Sequence, residues 1–556
     1  MAGKIKFIQM MKLNTLFLIA VAVLAGTYVS TAQTLPAVAT TSFKKDTFNI
    51  VQYGAKSDPF VMNTKSINDA IDNCSKKGGG VVLVPGGFWL TGPIELKSNV
   101  NLHINRDAII QFTDDFDQYK LLESNWEGVK AVRNQSPLSA TNAVNIAITG
   151  SGVIDGNGDA WRMVKKGKLT EGQWKTINER GGVLSHDKKT WYPSEKSLKG
   201  SLAKNPGVWK EGSKLSDFDS IKDFLRPNML VFTACKRVLL EGVTFQNSPA
   251  WNLHPLMCED LIVRNVYAKN PWYAQNGDGI DIESCKNFIL ENSTFDVGDD
   301  GICIKSGKDE QGRKRAMPTE NGIIRNNIVY HAHGGFVIGS EMSGGARNLY
   351  VSNCTFIGTD VGLRFKTTRG RGGVVENIYV NNINMKDIAG EAILFDMYYS
   401  AKDPVPQPGE KREAPKVEAL PVTDGTPQFK NFYVTNIVCN GAEKGILIRG
   451  LPEMSIKNIN LSNLSIMANK AVVCEEAEGV NISNLHIQAK DTSSLISIQN
   501  SRKITFSNVQ YNKSSVLVSV AGDRNDQILF TKTSYDNAGT KVLLAEEVKN
   551  NPVIFK

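Results

Sequence analysis

Beyond its first 32 positions this 556-residue chain has no apolar run long enough to cross a bilayer, so no later segment is expected to span one. Charge of one sign is nearly balanced. The formal net charge of +8, with 22% charged residues, suits an anionic partner but not a nucleic-acid binder. Helical periodicity is also scarce, because the β-branched runs are too short for helices. Eight cysteines do not make a disulfide scaffold by themselves. Cys235, Cys258 and Cys285 each open a similar phrase (CKRV, CEDL, CKNF), which suggests a buried stack of small residues and leaves any pairing open.

What is present begins with a leader. Lys4, Lys6 and Lys12 precede the apolar run Leu16 to Ala25, and Ser30-Thr31-Ala32 offers a cleavage point before Gln33. Residues 1–32 are therefore expected to be a signal peptide and 33–45 a short linker. Residues 46–556 are expected to be one domain in an exported protein, periplasmic or secreted, monomeric, with no membrane span once the leader is removed.

From about residue 235 to 515 one phrase recurs: a short β-prone run, Asn, an apolar pair, then a turn, as in FILENSTF, LYVSNCTF, IYVNNINM and VNISNLHI. The Asn positions are 265, 292, 327, 353, 382, 436, 463, 484 and 508, spaced by 27, 35, 26, 29, 54, 27, 21 and 24. A period this variable fits a right-handed parallel β-helix, an all-β single-stranded solenoid whose loops differ in length while its strands stay in register. The spacing of 54 is two coils, or one with a large insertion. Asn suits the recurring turn because it tolerates left-handed backbone. A capping helix is expected over Asn63 to Lys76, with Asn63 as N-cap and Ile67, Ala70, Ile71 and Cys74 on its apolar face. Insertions near 157–226, 306–320 and 400–428 interrupt the coils.

The chemistry concentrates in NGDGID, which carries Asp278, and VGDDGICIKSG, which carries Asp299, Asp300 and Lys305; His333 in HAHGG and Arg364 and Lys366 in GLRFK follow. A lone Asp-Asp pair is by default a solvated turn or a Ca²⁺ ligand. Here, counting from the Asn ladder, Asn276 and Asp278 fall at +11 and +13, as do Arg364 and Lys366, with Asp299, Asp300 and His333 at +7, +8 and +6. Matching offsets are expected to bring them to one face on four successive coils. Three crowded acids leave one holding its proton to higher pH, and glycoside hydrolysis needs one protonated carboxyl and one carboxylate.

At these residues the chain resembles glycoside hydrolase family 28, whose signatures Asn-Thr-Asp, Gly-Asp-Asp, His-Gly and Arg-x-Lys read here as Asn276-Gly277-Asp278, Gly298-Asp299-Asp300, His333-Gly334 and Arg364-Phe365-Lys366. Gly277 in place of Thr and Ala332 before the histidine are departures. The resemblance implies inverting hydrolysis of galacturonate-containing pectin without metal or cofactor. Asp299 would be the general acid, Asp278 and Asp300 would activate water, and His333 would tune the acid. Asn276, His254, Lys305, Arg364 and Lys366 would bind substrate. FKTTRGRGG and GSEMSGG, which contribute Arg369, Arg371 and Glu341, resemble exo-acting bacterial members. Insertions 157–226 and 306–320, the latter basic at Arg313, Lys314 and Arg315, are expected to close one end of the groove. Rhamnogalacturonan hydrolysis, Ca²⁺-dependent elimination and non-catalytic binding remain the alternatives.

Overall fold

The computed structural model describes residues 35–400 and 417–556, so the leader at 1–32 lies outside the described residues, as does the middle of the third insertion. Among them, strands pair in parallel into a 23-stranded and a 14-stranded sheet, the arrangement of a parallel β-helix. Each coil contributes strands to both sheets and hydrogen-bonds to the coils before and after it.

The Asn ladder produces the bend between the arms of a coil. Asn265, Asn292, Asn353, Asn382, Asn436, Asn463, Asn484 and Asn508 all adopt left-handed backbone, with φ between 51° and 56°. Their amides also hydrogen-bond from coil to coil, as in Asn463 Nδ2 to Asn436 Oδ1 at 3.1 Å and Asn484 Nδ2 to Asn463 Oδ1 at 2.9 Å. Asn327 is the exception. Its neighbour Asn326 takes the left-handed turn at φ 57°, while Asn327 is buried and donates to Leu290 O. A second left-handed ladder, through Asn321, Asn348, Asn377, Asn431 and Asn458, was not read from the sequence.

Side chains repeat in columns because strands stack in register. The inward column Leu240, Val263, Leu290, Ile324, Val351 and Val380 is almost fully buried, and it continues to Phe506 and Phe530, whose rings stack at 4.9 Å. On the outer surface an alternating column runs Lys236, Glu259, Lys286, Glu320, Arg347, Glu376 and Lys430, then Lys457, Glu478, Arg502 and Asp526. All eight cysteines are buried and free, and Cys258 and Cys285 stack so that the Cys258 N–H donates to Cys285 Sγ.

The helix spans Thr64–Lys76, and Ile67, Ala70, Ile71 and Cys74 join the main core. Asn63 does not cap it through its side chain. That amide instead braces the preceding loop, bonding Lys56 N and O, Val61 O and Leu90 O. No described helix is long and apolar enough to cross a membrane.

The 54-residue spacing is one coil. Strand Val374–Lys386 pairs directly with Gln428–Asn440, and the added residues follow Glu391–Asp396. Within 157–226 the chain forms helices Glu171–Glu179 and Glu195–Leu202 and a small three-stranded sheet. The 306–320 insertion holds the short helix Asp309–Arg315. An antiparallel hairpin, Leu121–Trp126 with Val129–Asn134, is a further excursion absent from the sequence reading.

Candidate active site

Four neighbouring strands of the 14-stranded sheet, Ile280–Glu283, Asp300–Lys305, Gly334–Ile338 and Leu363–Lys366, floor a cavity of about 540 Å³. Asn276, Asp278, Asp299, Asp300, Lys305, His333, Arg364 and Lys366 all line it. The sequence brought these residues together correctly, but the offsets did not give their register. Pairing of Ile280 with Ile302 and of Asp300 with Gly334 puts Asp278, Asp300 and Gly334 in one column, and Asp299 beside His333. Arg364 shares a column with Val337, Cys303 and Asp281, not with Asn276. Counting from Asn fails because loop 270–279 is longer than its counterparts on the next coils, whereas strand hydrogen bonds keep alignment whatever the loop length.

Two glycines allow this packing. A Cβ at Gly334 would lie 2.5 Å from Val337 Cγ2 and 3.2 Å from Arg364 Cδ, so the Arg364 stem passes only over a bare backbone. At Gly277 it would lie 2.7 Å from Ala274 Cβ, which accounts for Gly where the family signature has Thr.

An oxygen from each of Asp278, Asp299 and Asp300 lies within 4.8 Å of the others. Their surroundings separate them. Burial raises Asp300, but the Lys366 and Arg364 cations outweigh it and hold the carboxyl well below its usual range; Lys366 Nζ donates to Oδ2 at 2.7 Å and Arg364 Nη1 to Oδ1 at 2.9 Å. Burial likewise raises Asp299, but His333, with Nδ1 3.1 Å from Asp299 Oδ1, brings it below the ordinary value. The same contact overcomes desolvation at His333 and raises the imidazole above its ordinary 6.5. Asp278 is pushed well up, first by burial and then by Asp281 and Asp299. One acid of the three thus keeps its proton, and in the free protein it is Asp278.

Sequence reasoning missed several participants. Asp281 is fully buried, neither of its carboxylate oxygens has a hydrogen bond, and burial raises it to about 8 against the pull of Lys305, 3.5 Å away. Arg226 donates to Asn276 Oδ1 at 3.0 Å and to the carbonyls of Pro249 and Gln275, fixing the left-handed Asn276. Tyr399 lines the cavity and lies over Lys366 at 4.9 Å. Asp281 had a legible signal in NGDGID, two strand positions from Glu283; the others depend on distant loops.

The remaining predicted residues divide. Lys305 bonds Glu341 Oε2 at 3.1 Å and lies over the Trp251 ring. Glu341 and Arg371 line the cavity as expected, and so do Lys165 and Lys168 from the first insertion and Lys308 from the second. Arg313, Lys314 and Arg315 do not. They pair instead with Asp424, Glu310 and Glu283 respectively, the last being the end residue of a floor strand. Arg369 pairs with Glu453. His254 is also outside this cavity: it is 1% exposed, with Nε2 2.9 Å from Glu283 Oε2 and Nδ1 3.1 Å from Asn228 Nδ2. Seven basic residues (Lys165, Lys168, Lys305, Lys308, Arg364, Lys366, Arg371) against five acidic ones (Glu127, Asp278, Asp299, Asp300, Glu341) make the lining net cationic, which favours an acidic ligand.

Residues 198–441 match the family model for glycosyl hydrolases family 28. A probable polygalacturonase from Vitis vinifera is 28% identical over 447 residues, 78% of this chain and 77% of its own length. An exo-poly-alpha-D-galacturonosidase from Dickeya chrysanthemi is 31% identical over 396 residues, 68% of this chain and 63% of the relative. The crystal structure of a hyperthermoactive exopolygalacturonase from Thermotoga maritima aligns with a TM-score of 0.62 and 30% identity, covering 85% of this chain and 94% of that one. With the carboxylate cluster seated on successive coils of the same fold, this chain belongs to glycosyl hydrolases family 28.

Proposed function

We propose that the protein is an exported hydrolase that removes galacturonate from the end of α-1,4-linked galacturonan, with inversion. The observation that carries the reading is a carboxylate triad at the floor of a cationic cavity whose rim is built from inserted segments, Glu127, Lys165, Lys168 and Lys308. A plain coil face would leave an open groove in which a polymer runs past the acids both ways. Residues inserted around this one favour a chain end. The exo names of the Dickeya and Thermotoga relatives support it.

In this mechanism Asp299 protonates the leaving oxygen. The free protein holds Asp299 ionised, with the proton on His333. Binding an anionic, water-excluding substrate disfavours the second negative charge and returns the proton to the carboxyl. Asp278 and Asp300 position water: the neutral Asp278 orients it, and the ionised Asp300 takes the proton the water loses as Asp299 gives its own to the leaving oxygen. Arg364 and Lys366 hold Asp300 in place and present their remaining donors to a sugar carboxylate. Export and cleavage of residues 1–32 belong to the same proposal.

Inversion rests on the family resemblance, and proton NMR of the first product checks it: a β-anomer supports inversion, an α-anomer a covalent intermediate. A Ca²⁺-dependent lyase would place a cation on the triad, but both Asp300 oxygens are already bonded to Arg364 and Lys366. Time-resolved chromatography on polygalacturonate is the main test. Early monomer with little fall in viscosity supports the proposal. Mixed oligomers with rapid viscosity loss overturn exo action, an ultraviolet-absorbing unsaturated product overturns hydrolysis, and turnover of rhamnogalacturonan alone moves the substrate within the family.

A further inference from the structure

A second cavity, of about 410 Å³, opens on the outer face of the same 14-stranded sheet, over strands Leu138–Thr141, Leu230–Thr233 and Leu253–Leu256. The hairpin stands between it and the acidic site. The hairpin tip, Glu127, lines the catalytic cavity, while Leu122, Asn125 and Lys130 from its arms line the second. Trp126 stacks on Trp251 at 5.7 Å, and the Trp251 ring meets His254 edge-on at 5.0 Å, completing the wall.

The lining is polar and carries no net charge. Its one lysine, Lys130, is 2.6 Å from Glu123 and over the Trp209 ring, so the cavity has no excess of cations for an acidic sugar. Asn134 is 2% exposed. Its Nδ2 donates to the carbonyls of Lys222 and Leu225, while its Oδ1 is buried with no donor. Thr141 and Thr233 sit side by side in register, and neither hydroxyl has a partner among the described residues. Val231 and Leu256 supply an apolar patch between them. Accessible hydroxyls and amides beside an apolar side chain match a molecule with hydroxyl groups on one side and C–H groups on the other.

We propose that this cavity binds a neutral sugar unit, separately from the acidic-sugar site. The occupant is a free neutral saccharide or a neutral sugar attached to the polymer. Its hydroxyls reach the Thr141–Thr233 rail and the Ser139 and Asn125 side chains that line the same cavity, and its C–H face covers Val231. The proposal does not depend on the hydrolytic reading, since no residue of the triad takes part.

Saturation-transfer NMR and calorimetry on the full chain test it, with a neutral hexose, a neutral pentose and a 6-deoxyhexose as probes and galacturonate as competitor. At least one neutral probe is expected to bind saturably and to stay bound under excess galacturonate. Val231→Trp, which fills the cavity, should abolish that binding, and Thr233→Val should weaken it by roughly fivefold, one neutral hydrogen bond, with kcat on unbranched galacturonan unchanged. The threonine variant keeps the question open to measurement if the tryptophan variant folds poorly. A galacturonan oligosaccharide bearing the preferred sugar distinguishes the sources: tighter binding than the free sugar identifies a polymer branch, equal binding a free saccharide. No saturable neutral binding, displacement by galacturonate, or indifference to both substitutions overturns the proposal.

Discussion

Replacing His333 by alanine tests how the acid is kept loaded. In the structure Asp299 and His333 share one proton across 3.1 Å, and that proton leaves only at the raised imidazole value, above 6.5. The alkaline limb of kcat/KM in the native enzyme therefore belongs to the pair and falls above 6.5. Without His333 the proton must reside on Asp299 alone, a carboxyl. Losing the imidazole raises Asp299 from its depressed position, because burial and Asp300 then push it up against Lys366 alone. The alkaline limb of His333→Ala should accordingly report a single carboxyl in place of the pair and move away from its native position. Loss of one hydrogen bond to a charged group costs about 1.5–3 kcal/mol, roughly 10- to 150-fold in turnover at the new optimum. Full pH profiles on a soluble oligogalacturonate, with circular dichroism as a control for folding, measure both effects. An alkaline limb left at its native position would refute the shared proton, even if turnover fell.

Three further outcomes follow from the same site. Asp278→Asn, Asp299→Asn and Asp300→Asn should each lower turnover by several orders of magnitude in a folded protein, and near-native turnover in any one removes its assigned role. Lys366→Met leaves Asp300 with Arg364 alone. Asp300 then rises toward its ordinary value, so the acid limb should move up in pH, and breaking a buried pair should cost up to about 3–5 kcal/mol in denaturant unfolding; an unmoved acid limb contradicts the pairing. Asp281 keeps its proton to about 8 when folded but only to 3.8 when unfolded, so it costs stability as pH rises between those values; Asp281→Asn should gain on the native protein across that window in melting experiments, and parallel melting curves would contradict its buried neutral state.

The repeat and the carboxylates were legible in the sequence because both are written locally. Left-handed Asn marks a bend wherever it falls, and NGD, GDD, HG and RFK each occupy one strand end. Register was not legible, since the extra length of loop 270–279 is invisible to offsets taken from the ladder. The hairpin at 121–134 and the bracing of Asn276 by Arg226 escaped for a related reason: each depends on a partner dozens of residues away. His254 lies outside the acidic cavity. It was carried over with the family resemblance rather than read from its own coil, and in the structure Glu283 and Asn228 occupy both its nitrogens.

The outer column of alternating charge bears on how such a chain finds one alignment. Coils here are nearly interchangeable, so a strand could dock one coil too early with its aliphatic ladder still satisfied. A slip of one coil, however, sets Lys286 against Lys236 or Glu320 against Glu259, and like charges facing across a sheet repel. A slip of two would restore the alternation, except at Lys430 and Lys457, where two cations adjoin and the sequence of signs changes phase just after the long insertion. The surface lysines and glutamates thereby act as a parity check on assembly. Reversing the signs of Glu320 and Arg347 together keeps their mutual attraction but sets like charges against Lys286 and Glu376 in the native register, so a rise in misfolded product beyond what the lost native stability accounts for is the signature of the check.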